Sequence, residues 1–158
     1  MGRNSYSETG MAEDMIRAFV QFGCAEIHAM NLYYKTMAEM ENGLVDVEEP
    51  SVLNEHLEKC EQYQEDIETY ANLRRSIMRS LFSMFEGNKD VWCLVKHLGI
   101  GAMCIFEAYE ASDNDPELLE QAYSANSAFV NAMSRFLGVE ITDCAACFAD
   151  SMKGSENG

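Results

Sequence analysis

The chain has 158 residues, of which 27 are acidic and 11 are basic, so its formal net charge is −16. Apolar residues make up 47% of the chain, which excludes the simple disorder typical of highly charged sequences with few apolar groups. The length fits one helical domain over residues 1–158, with an ordered core from about residue 9 to 152 and frayed ends. The negative charge argues against direct binding of nucleic acid, which needs a basic surface.

The sequence also bears on the surroundings of the protein. The first residues lack the apolar stretch of a signal peptide, and no unbroken apolar run reaches the roughly 20 residues of a membrane-spanning helix. We therefore expect a cytoplasmic protein without a membrane partner. The six cysteines are expected to be reduced thiols in such a setting.

Two long helices are predicted in the N-terminal half. The first spans about residues 9–42 and stops at Gly43, a residue that commonly ends helices. The second begins at Ser51, a good N-cap residue after a proline, and ends before Gly87. In both segments apolar residues recur every three or four positions, which is typical of a helix with one buried face.

The C-terminal half contains two further helices of this kind and a short one. The third follows Asn88 and reaches Ala111, and the fourth has Asp115 as its N-cap and ends before Gly138. A short fifth helix is predicted over about residues 142–153. No segment shows the two-residue alternation of a strand. The sequence therefore predicts an all-α fold, an antiparallel four-helix bundle made of two helical hairpins plus a short C-terminal helix.

A uniform step of about 100° per residue assigns one side of each helix to the core. The side chains expected inside include Phe19 and Ala29 on the first helix, Leu57, Ala71 and Met78 on the second, Leu94, Leu98 and Ile105 on the third, and Phe129, Met133 and Phe136 on the fourth.

Five polar residues fall on these inward sides: Glu26 on the first helix, His56, Gln64 and Arg74 on the second, and Asn126 on the fourth. An unpaired buried charge is costly, so we expect Glu26 and Arg74 to pair with each other or to line a polar pocket. Such a pocket is the alternative functional hypothesis: an internal ligand or metal site in a helical bundle that acts as a small enzyme.

The pattern Cys-x-x-x-His occurs twice, at Cys24/His28 and at Cys93/His97. Residues four apart lie on one helix face, so the two pairs offer zinc a Cys₂His₂ set. However, the first pair falls on the polar side of its helix and the second flanks an apolar side, which makes convergence difficult. Metal binding by these four residues is therefore the weaker hypothesis, and no cofactor is expected.

The remaining motifs do not favour catalysis. Cys144 and Cys147 have the Cys-x-x-Cys spacing of redox proteins, but no βαβ pattern surrounds them, as it does in thioredoxin-like proteins. The chain contains neither a glycine-rich phosphate loop nor a Gly-x-Ser-x-Gly nucleophile motif. We therefore expect a protein that is not an enzyme.

Acidic residues are concentrated in one part of the chain. Between Glu39 and Leu73 there are eleven acidic residues and one basic residue, Lys59. Spacings of three and four place many of these carboxylates along one side of the second helix. The predicted partner-binding residues are Glu48, Glu49, Glu55, Glu58, Glu61, Glu65, Asp66 and Glu68.

The leading functional hypothesis follows from this distribution of charge. A band of carboxylates is suited to docking against a basic macromolecular surface, where charge complementarity speeds encounter and sets specificity. In the extreme form of this hypothesis, the protein is an inhibitor that imitates nucleic acid and occupies the nucleic-acid channel of a nucleic-acid-binding protein. The simpler reading is a solvated acidic surface that aids solubility. The apolar stripes also allow a homo-oligomer, because an interface and a core have the same periodicity.

Overall fold

The computed structural model describes residues 2–141, with side chains described from residue 9 onward. These residues form four helices and contain no β-strand, which confirms the all-α fold class. Helix α1 is Gly2–Glu41, α2 is Pro50–Met84, α3 is Lys89–Glu110 and α4 is Pro116–Leu137. The predicted fifth helix, with Cys144 and Cys147, lies outside the described residues.

The ends of the helices have local causes. At the start of α4 the Asp115 carboxylate accepts a hydrogen bond from the Glu117 N–H at 2.9 Å, and Gly138 ends the helix with a left-handed φ of 68°. Helix α2 begins slightly earlier than predicted. Pro50 takes its first position, where a missing N–H costs nothing, so Ser51 lies inside the first turn and is not the cap.

Packing joins the helices in sequential pairs. Helices α1 and α2 pack along each other, and α3 packs mainly against α4. One cluster of buried side chains takes members from all four helices, among them Ile16, Phe19, Met78, Leu81, Val95, Phe106, Phe129 and Met133. Within this cluster the rings of Phe19 and Phe129 meet edge to face, with their centres 5.7 Å apart.

Helix α3 contains a π-helical turn, which changes its inward face. The turn spans Val95–Gly99 and holds about one residue more than an α-helical turn. Val91, Val95 and Phe106 are buried, whereas Leu98 is 38% exposed. The prediction that Leu98 belongs to the core is therefore wrong, because a uniform step of 100° per residue does not hold through a π turn.

The two helix pairs differ in length, and this produces a step in the molecule. Helix α2 has 35 residues and α3 has 22, a difference of about 20 Å along the axis. Between residues 37 and 66 only Cys60 is buried, so the loop end of the α1–α2 pair extends beyond the common core. Leu57 lies in this extension and is 49% exposed, which corrects its predicted core position; Phe136, near the end of α4, is also exposed at 45%.

Helix α3 is more apolar than its unbroken runs indicate. By length and composition alone, Lys89–Glu110 is able to cross a membrane. Its most apolar stretch has a mean hydropathy of 1.4, and a third of the residues in that stretch are buried inside the molecule. No unbroken apolar run marks this helix, because Lys96 and His97 interrupt it. Its buried face packs on α4 and α2 in the core described above.

Candidate functional site

The first candidate site is the acidic band, defined here as the exposed glutamates Glu55, Glu58, Glu61, Glu65 and Glu68 of α2. Lys59 forms an exposed pair with Glu55 at 3.4 Å. Within the described residues no cation pairs with the other four glutamates. Much of the band lies on the extension of α2 beyond the core, so its carboxylates face solvent.

The other predicted partner-binding residues flank this band. Glu48 and Glu49 are exposed in the loop before α2, where the Glu49 carboxylate accepts a hydrogen bond from the Ser51 hydroxyl at 3.4 Å. Asp66 is half-buried and accepts a hydrogen bond from Gln62 at 2.9 Å. Glu48 and Glu49 therefore extend the exposed carboxylates toward the loop, whereas Asp66 is engaged within α2.

The second candidate site is a buried polar network that begins with Glu26 and Arg74. The Arg74 Nη2 donates to Glu26 Oε2 at 2.9 Å, and the two side chains are 3% and 0% exposed. The guanidinium of Arg74 also lies over the ring of Phe106, 3.9 Å from its centre. This stacking gives the buried cation a favourable aromatic face in addition to its anion.

Glu110, the last residue of α3, completes the inner part of the network. Its Oε1 lies 3.7 Å from Arg74 Nη2, and its side chain is 21% exposed. Three buried atoms of the network have no hydrogen-bond partner: Glu26 Oε1, Glu110 Oε1 and Arg74 Nε. A hydrogen bond between the Glu26 and Glu110 carboxyl groups needs a proton on one of them, since an ionised carboxylate can only accept hydrogen bonds.

The protonation of Glu26 agrees with this arrangement. Burial raises the pKa of Glu26 from 4.5 to about 9; Arg74 opposes the rise, and the nearby Glu110 carboxyl adds to it. At neutral pH Glu26 is therefore a neutral acid. Arg74 then has the Glu110 carboxyl group, 3.7 Å away, as its second acidic neighbour.

Arg75 links the network to the surface. Its Nε donates to the Glu107 carboxylate at 2.9 Å, and its Nη1 donates to Asn72 at 3.0 Å. Its Nη2 lies 4.0 Å from Glu110 Oε2. The hydrogen bond to Glu107 raises the pKa of Arg75 above its ordinary value, so this guanidinium stays charged and engaged.

A cavity of about 650 Å³ opens at the step, where the end of α3 meets α1 and α2. Its polar lining comes from Tyr33, Tyr34, Gln64, Glu68, Arg75, Glu110 and Asp113. Gln64 donates to the Tyr33 hydroxyl at 3.2 Å, and the two tyrosine rings meet edge to face. Asp113 reaches the cavity from a turn in which it and Asn114 both have positive φ, at 59° and 68°.

An apolar groove of about 580 Å³ runs between α2 and α3 on the other side of Arg75. Met78, Phe82, Ile100, Met103 and Cys104 line it, and Arg79, Glu86 and Glu107 supply charge. Arg75 lines both the groove and the cavity, so its pair with Glu107 forms the wall between them.

The structure does not bring the remaining sequence candidates together. Asn126 is buried on α4, and neither it nor Glu26 nor Arg74 lines the cavity. Across the described part of the chain, no three His, Cys, Asp or Glu side chains are grouped to hold a metal ion. Cys24, His28, Cys93 and His97 therefore form no four-residue cluster.

Four residues of the candidate sites were not predicted from the sequence: Tyr34, Arg75, Glu107 and Glu110. The sequence does not mark Glu107 and Glu110 as part of a site, because their contact with α2 depends on the rotation produced by the π turn. The sequence contains one signal, the change along α2 from glutamates to Arg74, Arg75 and Arg79. These arginines indicate acidic neighbours on the helices that pack against the second half of α2.

No protein-family model matches the chain, and neither the curated proteins nor the solved structures contain a match.

Proposed function

We propose that the protein binds a basic macromolecular surface through the acidic band and that it acts by this binding and not by catalysis. The observation that carries the proposal is the exposure of Glu58, Glu61, Glu65 and Glu68 on one helix with no cation paired to them in the described chain. Like charges three and four residues apart destabilise a helix, so folding does not account for these four glutamates. Binding to a positively charged partner explains them better.

The finer form of the proposal concerns the partner. Glu58 and Glu68 are ten residues apart, so the four carboxylates repeat about every 5 Å along the helix axis. One strand of duplex DNA carries a charge per roughly 3.4 Å, which is a comparable though denser array. A nucleic-acid-binding protein, inhibited by occupation of its basic channel, is therefore the partner class that we propose.

The test is affinity capture from lysate with the tagged protein at about 0.1 M and about 0.5 M salt, followed by mass spectrometry. We expect a basic, nucleic-acid-binding partner that is retained at low salt, released at high salt and displaced by added duplex DNA. Changing Glu58, Glu61, Glu65 and Glu68 together to Gln removes its capture.

The matched control changes the same number of charges elsewhere: Asp14→Asn with Glu86→Gln, Glu120→Gln and Glu140→Gln, all at exposed positions outside the band. This variant has the same net charge as the band variant and keeps the partner. Equal loss of the partner from both variants indicates a non-specific charge effect and contradicts the proposal.

The alternative, an internal ligand or metal site formed by Glu26, Arg74 and Asn126, has less support. Glu26 and Arg74 are paired with each other and fully covered, and none of the three residues lines the cavity at the step. An enzyme based on them has no access for a substrate at these side chains.

A further inference from the structure

The cavity at the step is joined to the acidic band through one residue. Glu68 is the last glutamate of the band and also lines the cavity, next to Gln64. A partner lying along the band therefore passes the mouth of the cavity. This continuity connects the cavity with the proposed docking surface.

The charge of the cavity lining is unbalanced. Three carboxylates, those of Glu68, Glu110 and Asp113, face one guanidinium, that of Arg75. Arg75 is already engaged by Glu107 at 2.9 Å, outside the cavity. Glu110 lies 3.7 Å from Arg74 and 4.0 Å from Arg75, so the excess negative charge is that of Glu68 and Asp113, which pair with no cation of the described chain. This excess favours a positively charged occupant.

The pKa of Tyr34 reflects the same negative charge around the cavity. Burial raises its pKa above the ordinary value, and the charges of Asp113 and Glu110 add to the rise. The rings of Tyr33 and Tyr34 lie in the same cavity, and aromatic faces attract organic cations. Carboxylates combined with tyrosines are a lining suited to a guanidinium or an ammonium group.

The size and spacing of the lining favour an organic cation over a metal ion. The carboxylates around the cavity do not converge on a single point, since no three acidic side chains in the described chain are grouped as metal ligands. A volume of about 650 Å³ is also much larger than one ion requires. A planar guanidinium, with five donors spread over its edge, reaches acceptors that are set apart.

We infer that this cavity is an anchor site for an arginine side chain of the protein partner, held between the Tyr33 and Tyr34 rings and the carboxylates of Glu68, Glu110 and Asp113. The inference rests on the proposed function, because the arginine that occupies the cavity belongs to the basic partner that binds the acidic band. It adds a specific pocket to an interaction that otherwise depends on charge alone. Such buried anchors dominate the affinity of many interfaces.

The test uses a small probe and needs no knowledge of the partner. Nα-acetyl-arginine amide is titrated into the protein and followed by NMR shifts of the amides lining the cavity, with Nα-acetyl-citrulline amide as its neutral isostere. We expect the arginine probe to bind at least about tenfold more tightly than the citrulline probe, because its contacts are charge-assisted. Equal shifts with both probes overturn the inference.

Two variants locate the binding. Glu110→Gln is expected to weaken binding of the arginine probe several-fold, but it also changes a residue of the buried network. Asp113→Asn changes an exposed turn residue outside that network and is expected to weaken the probe similarly. The matched control, Glu120→Gln, removes one exposed carboxylate of α4 that lines neither the cavity nor the apolar groove, so it leaves the affinity unchanged. Unchanged binding in both Glu110→Gln and Asp113→Asn overturns the inference.

A third variant separates this inference from the proposal on which it rests. Changing Glu58, Glu61 and Glu65 together to Gln removes docking through the band and leaves the cavity intact. We expect this variant to lose the captured partner and to bind the arginine probe normally. If the wild-type protein captures the partner but binds no arginine probe, the anchor site is wrong and the docking proposal stands. If it binds the probe but captures no basic partner, the docking proposal fails.

Discussion

The Arg74 guanidinium donates a hydrogen bond to the Glu26 carboxyl group at 2.9 Å, between α1 and α2, and neither side chain is more than 3% exposed. The pair is not a simple salt bridge. Glu26 is a neutral acid at pH 7, because burial raises its pKa to about 9. Arg74 also lies 3.7 Å from the Glu110 carboxyl group and over the face of the Phe106 ring.

This assignment predicts that Glu26 and Arg74 are not equivalent in mutagenesis. Arg74→Met leaves Glu110 without its buried cation and is expected to lower the free energy of unfolding by about 3–5 kcal/mol. Glu26→Gln replaces a neutral acid by a neutral amide that still accepts from Arg74, so it costs less than about 1 kcal/mol at pH 7. Urea unfolding of both variants measures this. Equal losses indicate an ionised Glu26.

The same carboxyl group predicts how stability depends on pH. The pKa of Glu26 is higher in the folded state than the ordinary value of 4.5 that applies after unfolding. Its contribution is therefore fully present below pH 4.5 and is lost as the pH rises toward about 9. For one proton the slope is at most about 1.4 kcal/mol per pH unit.

The measurement compares the free energies of unfolding of the wild-type protein and of Glu26→Gln at intervals from pH 5 to 9. The variant lacks this titration but keeps all other acidic groups, so the difference between the two curves isolates Glu26. We expect the wild-type advantage to shrink with rising pH and to reverse before pH 9, because the slope exceeds the small difference at pH 7 within one pH unit. A constant difference across the range contradicts the protonated state of Glu26.

Two glycines of α3 are expected to respond oppositely to alanine. A Cβ at Gly99 meets Met78 Sδ at 2.8 Å and Phe129 Cε1 at 3.0 Å, whereas at Gly101 it meets nothing within 4 Å. Gly99→Ala is therefore expected to destabilise by about 1–3 kcal/mol through overpacking. Gly101→Ala is expected to stabilise by about 0.5–1 kcal/mol through helix propensity. Thermal unfolding of the two variants decides, and a stabilised Gly99→Ala argues against close packing at the π turn.

The helices and the buried polar residues were accessible from the sequence for one physical reason: periodicity. Apolar repeats mark the four helices, and Glu26, Arg74 and Asn126 stand out because they interrupt those repeats; the structure buries all three. Periodicity assumes a constant helical step, however. At the π turn of α3 this assumption fails, and the inward face was misassigned at Leu98.

The candidate sites were accessible to different degrees. The acidic band depends on spacing within one helix, so the sequence places its carboxylates on one side. The cavity at the step depends on the point at which α3 ends against α1 and α2. The position of this point brings Tyr34 near Asp113, although the two residues are far apart in the sequence. No local pattern encodes that meeting, because it follows from the unequal lengths of the two helix pairs.

The acidic band is expected to carry a cost in stability. Glu58, Glu61, Glu65 and Glu68 repel one another at spacings of three and four, each pair by a few tenths of a kcal/mol. Their joint change to Gln should therefore raise the free energy of unfolding by about 0.5–1 kcal/mol at low salt and by less at about 0.5 M salt. Urea unfolding at both salt concentrations measures the effect. A destabilised variant indicates that these glutamates support the fold instead of a partner.

The turn between α3 and α4 allows a last, paired prediction. Asp113 and Asn114 both adopt positive φ, which favours glycine, but only Asn114 accepts a hydrogen bond from the fully buried Tyr109 hydroxyl, at 2.8 Å. Asn114→Gly relieves the backbone but removes that acceptor, so we expect a loss of about 1–3 kcal/mol. Asp113→Gly relieves the same kind of strain without losing a buried contact, so it is expected to be neutral or to stabilise by up to about 1 kcal/mol. Thermal unfolding of the two variants shows the contrast, and equal effects imply that the bond to Tyr109 does not hold this turn.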